Sequence, residues 1–344
     1  MLNRKKSTKG ISVVVAIRNG ESSIDNLIDT LSKQNYKGPI EFILVDDNSN
    51  DRTKDIINKA SISDSRFKYV SSNEGNKSLK FKKKALDIGI KNSQYEYLLF
   101  TDVDCKIQSS WVSKMSEYFN SGYNYLVGYS LTNRTELSNY ITSFQRLDLM
   151  FLMIMCRGSS YIGSPWACTG QNQGFSKELY NKVGGFEKIK KFIGDDTPFL
   201  QYCSTRDAKV AFVDSNSSLI LSREETKLSR FLIQRARWAF DANQIWRVNI
   251  KFYILLVIVS SFYLLLLFSI IFSLINLKNL IAILYLKFIL EFSVLYIGSI
   301  IFSYRIRIKE FLVWQLFHIP YVITVGFISY FTNYLSWKGR RLSL

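Results

Sequence analysis

The apolar positions of this chain fall into two regimes. In the first, short apolar runs alternate with amphipathic stretches. Ile11–Ile17 is continuous and carries three valines, the mark of a parallel strand buried on both faces. After the turn Arg18-Asn19-Gly20-Glu21, Ser22–Gln34 places Ile24, Leu27, Ile28 and Leu31 at helical spacing. Ile40–Val45 predicts the next strand, Arg52–Ala60 a helix, Phe67–Val70 a short strand, Lys82–Ile90 a third helix and Tyr97–Thr101 a fourth strand. This alternation predicts a doubly wound α/β domain with a mostly parallel sheet. Regularity then drops. Trp111–Phe119 is amphipathic, Tyr125–Tyr129 reads as a strand and Ser138–Met155 as a long helix, followed by a glycine-punctuated loop from Gly158 to Gly174 and a last strand, Val210–Val213. Glu224–Trp246 sets Phe231, Leu232, Trp238 and Phe240 among Arg and Gln, a basic amphipathic helix suited to a membrane interface.

The second regime is apolar. Phe252–Leu277 carries no Asp, Glu, Lys or Arg and is long enough to cross a bilayer. A second stretch, about 279–304, is interrupted by Lys287 and Glu291, whose i, i+4 spacing lets them pair on one helix face. The third, Phe311–Trp337, contains Pro320 and Gly326 with Gln315 and His318 just before. The proline predicts a break there into two short helices, returning the basic tail Lys338-Gly339-Arg340-Arg341 to the cytoplasmic side. Two or three crossings are expected, after a soluble domain at 1–228 and an interfacial helix at 229–250, with the membrane region at 251–344.

Charge and composition narrow the chemistry. The formal net charge is +17. Arg230, Arg235, Arg237, Arg247 and Lys251 precede the first apolar stretch, and Arg305, Arg307 and Lys309 lie between the second and third. That placement predicts contact with membrane lipid, and no nucleic-acid motif accompanies it. Met1–Gly10 is basic, but the apolar run after it is too short for a secretory signal core, so the soluble domain is expected in the cytoplasm. Four scattered cysteines fit that compartment, and a lone histidine, His318, is expected to pack.

The candidate chemistry lies where the fourth strand ends. Leu98-Leu99-Phe100 gives way to Asp102-Val103-Asp104, and in an extended chain both carboxylates would point to one side. Two acids at the carboxyl end of a parallel strand can hold a hard divalent cation, which can in turn hold a diphosphate. The first turn lacks Gly-x-Gly-x-x-Gly, which argues against a dinucleotide-binding dehydrogenase. An aspartyl-phosphate phosphatase has Thr or Val where Lys106 stands.

Asp46-Asp47, Asp102-Val103-Asp104, Asp195-Asp196 and Gln234-Arg235-Ala236-Arg237-Trp238 occur in that order, followed by membrane spans. The order resembles glycosyltransferase family 2, inverting enzymes with a GT-A fold that include polysaccharide synthases and ceramide-glucosyltransferase-like enzymes. The resemblance covers about residues 11–240, with a donor half near 11–105 and an acceptor half near 106–228. It implies that Asp47 contacts the uracil or ribose end of a UDP-sugar, with the Ala16–Asn19 turn, including Arg18, lining that end. Lys82-Lys83 match a basic position near the donor. Asp102 contacts the ribose or joins Asp104 at Mg²⁺ or Mn²⁺. Asp196 corresponds to the base and Asp195 to the Glu before it, with Gly194 in place of Thr; the pair also suits a helix N-cap. Arg237 faces the diphosphate, while Gly170 and Asn172, with Gln234 and Trp238, lie on the acceptor side; Trp238 also suits interfacial anchoring. The expected reaction moves a sugar from a nucleotide sugar to a lipid or lipid-linked acceptor at the cytoplasmic face. A processive polysaccharide synthase subunit and a silent nucleotide-sugar-binding partner in an export complex are the alternatives. Oligomeric state is left open.

Overall fold

The computed structural model describes residues 9–135 and 138–331, together with the backbone of 336–337 and 340–341. The elements follow in chain order as β1 (Ile11–Ile17), α1 (Ile24–Ser32), β2 (Ile40–Asp46), α2 (Thr53–Ser63), β3 (Phe67–Ser71), α3 (Lys82–Lys91), β4 (Tyr97–Phe100), β5 (Lys106–Ile107), α4 (Trp111–Asn120), β6 (Tyr125–Gly128), β7 (Ser130–Thr132) and α5 (Tyr140–Tyr161). They continue as β8 (Gln173–Ser176), α6 (Lys177–Lys182), α7 (Thr197–Ser204), β9 (Val210–Val213), β10 (Ile220–Ser222), α8 (Leu228–Gln244), α9 (Ile250–Phe272), α10 (Leu277–Ile301), α11 (Ile308–Ser329), β11 (Ser336–Trp337) and β12 (Arg340–Arg341). The chain forms two units. The first takes in the described residues of 1–130, 159–190 and 194–223, the second those of 131–158, 191–193 and 224–344.

The first unit is built on a seven-stranded sheet in the order β3-β2-β1-β4-β8-β6-β9. The strands β3, β2, β1 and β4 run parallel. β8 lies antiparallel to both β4 and β6, and β9 returns parallel to β6. Ile11, Val13, Val14, Val15 and Ile17 are fully buried, because helices cover both faces of the sheet. Burying a side chain of that size contributes about 1.5–3 kcal/mol. Ala16 is the single β1 position left partly open.

β8 begins at the end of the stretch that the sequence presents as a glycine-rich loop. A Cβ on Gly174 would meet Leu99 Cδ2 at 2.6 Å and the Leu98 carbonyl oxygen at 2.8 Å. Glycine is there for a close approach between strands and not for a turn.

In the second unit α9, α10 and α11 are 23, 25 and 22 residues long, each apolar and long enough to cross a membrane. Lys287 and Glu291 pair on α10 at 2.5 Å, as their spacing predicts. Glu291 also accepts from Tyr263 Oη (3.2 Å) and Gln315 Nε2 (2.8 Å), and its Oε1 lies 3.2 Å from His318 Nδ1. His318 is buried and stacks on Trp314 at 4.1 Å between ring centroids, so it packs as expected and is tied to Glu291 as well.

The third apolar stretch departs from expectation. α11 is one helix with Pro320 inside it, not two short ones. Gln315 and His318, in the turns before the proline, are held to Glu291 of α10, which supports the helix where it lacks a backbone bond. Lys338-Gly339 of the basic tail lie outside the described residues, and the backbones of β11 and β12 pair antiparallel on either side of them. Elsewhere in this unit Arg146 pairs with Glu224 in a buried contact, and the Ile193 N–H donates to Asp241 Oδ1 at 2.7 Å.

Candidate active site

The carboxyl ends of β1, β2 and β4 form one edge of the sheet, and β1 and β4 are adjacent at the point where strand order reverses. In open α/β sheets that crevice receives ligands. Asp47 follows β2. It is buried, its Oδ1 accepts from Ser72 Oγ at 3.0 Å, and its N–H donates to the Ile17 carbonyl at 2.7 Å. Arg18 Nη1 donates to the backbone carbonyls of Asp47 and Asn48 at 2.8 and 2.7 Å. It therefore braces the β1 and β2 turns to each other. Asn19 and Asn48, with φ of +48° and +54°, take the left-handed conformation that these turns require.

The Asp-x-Asp segment is a turn, not a continuation of the strand. The Cys105 N–H donates to the Asp102 carbonyl at 3.3 Å, closing the segment around buried Val103. The two-residue periodicity expected of an extended chain does not apply here. Asp102 is partly buried and Asp104 exposed. Cys105 is buried against Gln171, with Sγ 3.8 Å from Oε1, and burial, then the charges of Asp102 and Asp104, push its thiol pKa well up.

Lys82 opens α3 directly after Phe81, whose φ of +56° is unfavourable for a bulky residue. Its Nζ lies 2.8 Å from Asp102 Oδ1 and 3.4 Å from Asp195 Oδ2. Burial works against the ammonium charge, but Asp102, Asp195 and Asp196 outweigh it and raise the lysine pKa. Lys83 is buried, 2% exposed.

Asp196 caps the N-terminus of α7. Its Oδ1 accepts from the Thr197 N–H at 2.7 Å and its Oδ2 from the Gly170 N–H at 3.0 Å. Burial and the neighbouring Asp195 charge push its pKa up to about 7, against the opposing pull of Lys82 and the two amides. Thr197 Oγ1 donates to the Cys168 carbonyl at 3.1 Å and accepts from the Cys168 N–H at 3.2 Å, which fixes the Gly170 loop to α7. A Cβ on Gly170 would stand 3.0 Å from Lys82 Nζ, 3.2 Å from Asp195 Oδ2 and 3.4 Å from Asp196 Oδ2. Thus Lys82, Asp102, Gly170, Asp195 and Asp196, scattered in sequence, converge.

Asn172 is held in the interior. Its side chain is completely buried: Nδ2 donates to the carbonyls of Tyr129 and Ser218 at 2.7 and 2.9 Å, and Oδ1 accepts from Trp111 Nε1 at 2.9 Å. All of these bonds are internal, to Trp111, Tyr129 and Ser218. Ser72 and Thr197, which hold Asp47 and the Gly170 loop, carried no sequence signal beyond their polarity.

The second unit carries the remaining candidates on α8. Arg235 is buried and donates from Nε to Asp148 Oδ2 at 2.9 Å, and its guanidinium lies 4.1 Å from the Trp238 ring centroid. Trp238 is 40% exposed, Gln234 Oε1 accepts from Arg235 Nη1 at 3.3 Å, and Arg237 is partly buried.

Residues 12–184 match the model of glycosyl transferase family 2, and 118–329 match the related glycosyl transferase family group 2. The chain belongs to glycosyl transferase family 2. Among curated relatives, this glycosyltransferase is 27% identical over 130 residues to the GalNAc(5)-diNAcBac-PP-undecaprenol beta-1,3-glucosyltransferase of Campylobacter jejuni, covering 36% of the chain and 39% of the relative. It is 30% identical over 110 residues to an uncharacterized glycosyltransferase of Haemophilus influenzae, covering 31% and 41%. The matches thus span about two fifths of each relative's length. Among solved structures, the mannosyltransferase PcManGT of Pyrobaculum calidifontis, in complex with GDP-Man and Mn²⁺, superposes with a TM-score of 0.57 at 16% identity, covering 93% of this chain and 86% of that one. The fold is GT-A, a mostly parallel α/β sheet followed by three apolar helices that could span a membrane.

Among the described residues no three His, Cys, Asp or Glu side chains group as a metal cage. Mg²⁺ and Mn²⁺ at nucleotide sites are commonly held by one or two carboxylates with the remaining positions taken by phosphates and water. Asp102 and Asp104, accessible oxygen donors on one turn, fit that pattern.

Proposed function

We propose that the enzyme transfers one sugar, with inversion, from a nucleotide sugar to a lipid-linked acceptor at the cytoplasmic membrane face. The observation that carries this is the convergence of Lys82, Asp195, Asp196 and the Gly170 amide beside the Asp102–Asp104 turn. Asp47 and the Ala16–Asn19 turn, including Arg18, receive the nucleoside, and Asp104 with Asp102 would hold Mg²⁺ or Mn²⁺, which would neutralise the leaving diphosphate. Asp196 accepts the proton of the acceptor hydroxyl as its oxygen bonds to the anomeric carbon. The bond from that carbon to the diphosphate breaks on the opposite side, and the nucleoside diphosphate leaves with the electron pair. A carboxyl titrating near 7 is poised for this proton transfer at neutral pH.

The acceptor class is supported by the undecaprenol-linked substrate in the name of the Campylobacter relative, and metal use by the Mn²⁺ and GDP-Man bound to the Pyrobaculum neighbour. The described residues contain three candidate spans, too few to enclose a polymer tunnel by themselves, which favours single transfer over processive synthesis. Purified protein incubated with a panel of UDP- and GDP-sugars and a membrane lipid extract should release nucleotide only when the extract is present, and should label a lipid. Donor binding without turnover across the panel would instead indicate a silent binding partner.

A further inference from the structure

Lys82 does more than add positive charge near the donor. Its ammonium is 2.8 Å from Asp102 Oδ1, closer than to Asp195, and occupies one of the oxygens the metal assignment needs. The lysine is held there: its side chain is 16% exposed, it leaves the chain at the first residue of α3, and its ammonium lies between Asp102 and Asp195. A divalent ion arriving alone at Asp102 must displace this ammonium or sit within a few ångströms of it, with no new negative charge to offset the repulsion. A diphosphate arriving with the ion brings that charge.

We infer that Lys82 is an internal counter-ion for Asp102 that makes metal binding conditional on the nucleotide diphosphate, so that metal and donor enter together and the ion does not pre-load. The inference rests on the assignment of Asp102 and Asp104 to the metal. Lys82 acts here as a positioning residue, through the carboxylate it holds.

The test is equilibrium binding of Mn²⁺ to the full chain in detergent, read from the electron paramagnetic resonance signal of free Mn²⁺, without and then with UDP or GDP. The wild type should bind Mn²⁺ alone weakly, and a matching nucleotide should tighten that binding. Lys82→Met should tighten binding of Mn²⁺ alone by about tenfold or more, the scale on which a neighbouring like charge changes the occupancy of an ionisable site. Lys82→Arg, which keeps the charge, should stay near the wild type. Adding Asp104→Asn to Lys82→Met should abolish the gain. Because Lys82→Met leaves Asp102, Asp195 and Asp196 without their common counter-ion, it should melt below the wild type and recover more on adding Mn²⁺.

Lys82→Met binding Mn²⁺ alone no more tightly than the wild type overturns the inference. If Asp104→Asn still abolishes the nucleotide-dependent Mn²⁺ signal in that case, the metal assignment survives on its own. A gain that persists in the Asp104→Asn background overturns both. Should Lys82→Met fail to fold, the wild type decides: Mn²⁺ bound equally well with and without nucleotide overturns the inference.

Discussion

Replacing Asp196 by asparagine separates the catalytic from the capping role of one side chain. Both carboxylate oxygens accept a backbone N–H, from Thr197 at 2.7 Å and from Gly170 at 3.0 Å. An asparagine in the same place must turn its NH₂ towards one of those amides whichever way it is flipped. One donor then loses its acceptor, a cost of about 1–3 kcal/mol, partly offset by removing the repulsion from Asp195. The melting temperature should fall by a few degrees, and the protein should remain folded at assay temperature. The chemical effect is larger: loss of a general base costs about 10²–10⁴ in rate, or about 3–5 kcal/mol of transition-state stabilisation. Nucleotide release at saturating donor and acceptor measures it, while direct donor binding should hardly change.

The pH dependence gives an independent readout. Below about pH 7 the wild-type carboxyl is protonated and cannot accept a proton, so kcat/KM should rise with pH along an acid limb near that value. That limb should be absent from Asp196→Asn. Stability runs the other way. The folded carboxyl keeps its proton to about pH 7, whereas the unfolded one releases it near 4. The wild type should therefore lose stability relative to the variant as pH climbs through that window. A folded variant with near-normal turnover above pH 7, or one that keeps the acid limb, refutes the assignment and moves the base to Asp195.

Other substitutions probe the neighbouring parts. Asp104→Ala should abolish turnover and the metal dependence of donor binding; full wild-type activity in EDTA would contradict the metal assignment. Gly170→Ala puts a methyl 3.0 Å from Lys82 Nζ and 3.2 Å from Asp195 Oδ2, so kcat should drop by about tenfold from a shift of a few tenths of an ångström, with the melting temperature little changed. Asn172→Ala strands Trp111 Nε1 and two carbonyls in the interior and should destabilise by about 2–4 kcal/mol, leaving acceptor KM unchanged in the folded fraction. A changed acceptor KM at unchanged stability would restore Asn172 to the acceptor site.

The parts legible in the sequence are those whose signal is local. β1, β2 and β4 read as buried parallel strands because runs such as Val13-Val14-Val15 have no polar face to give to solvent, and each run ends where polar residues begin the crevice. What the sequence left open depends on partners distant along the chain. Lys82 reads as a generic cation until Asp102 and Asp195 are set beside it, and Gly170-Gln171-Asn172 reads as one motif although Gly170 faces the acids while Asn172 is spent on Trp111, Tyr129 and Ser218. Gly174 looks like a loop residue until the Leu98 carbonyl explains it. The clearest contest between local and distant terms is at Pro320. A proline inside a helix costs about 3 kcal/mol or more, which by itself predicts a break. Opposing it, Gln315 and His318 on the same helix converge on the Glu291 carboxylate, and hydrogen bonds to charged groups contribute about 1.5–3 kcal/mol each. Those bonds hold the turns before the proline, while after it Tyr321 donates to Asp148 Oδ2 at 3.1 Å and Ser329 accepts from Asn243 Nδ2 at 2.8 Å, so both sides of Pro320 are anchored and α11 runs on past it.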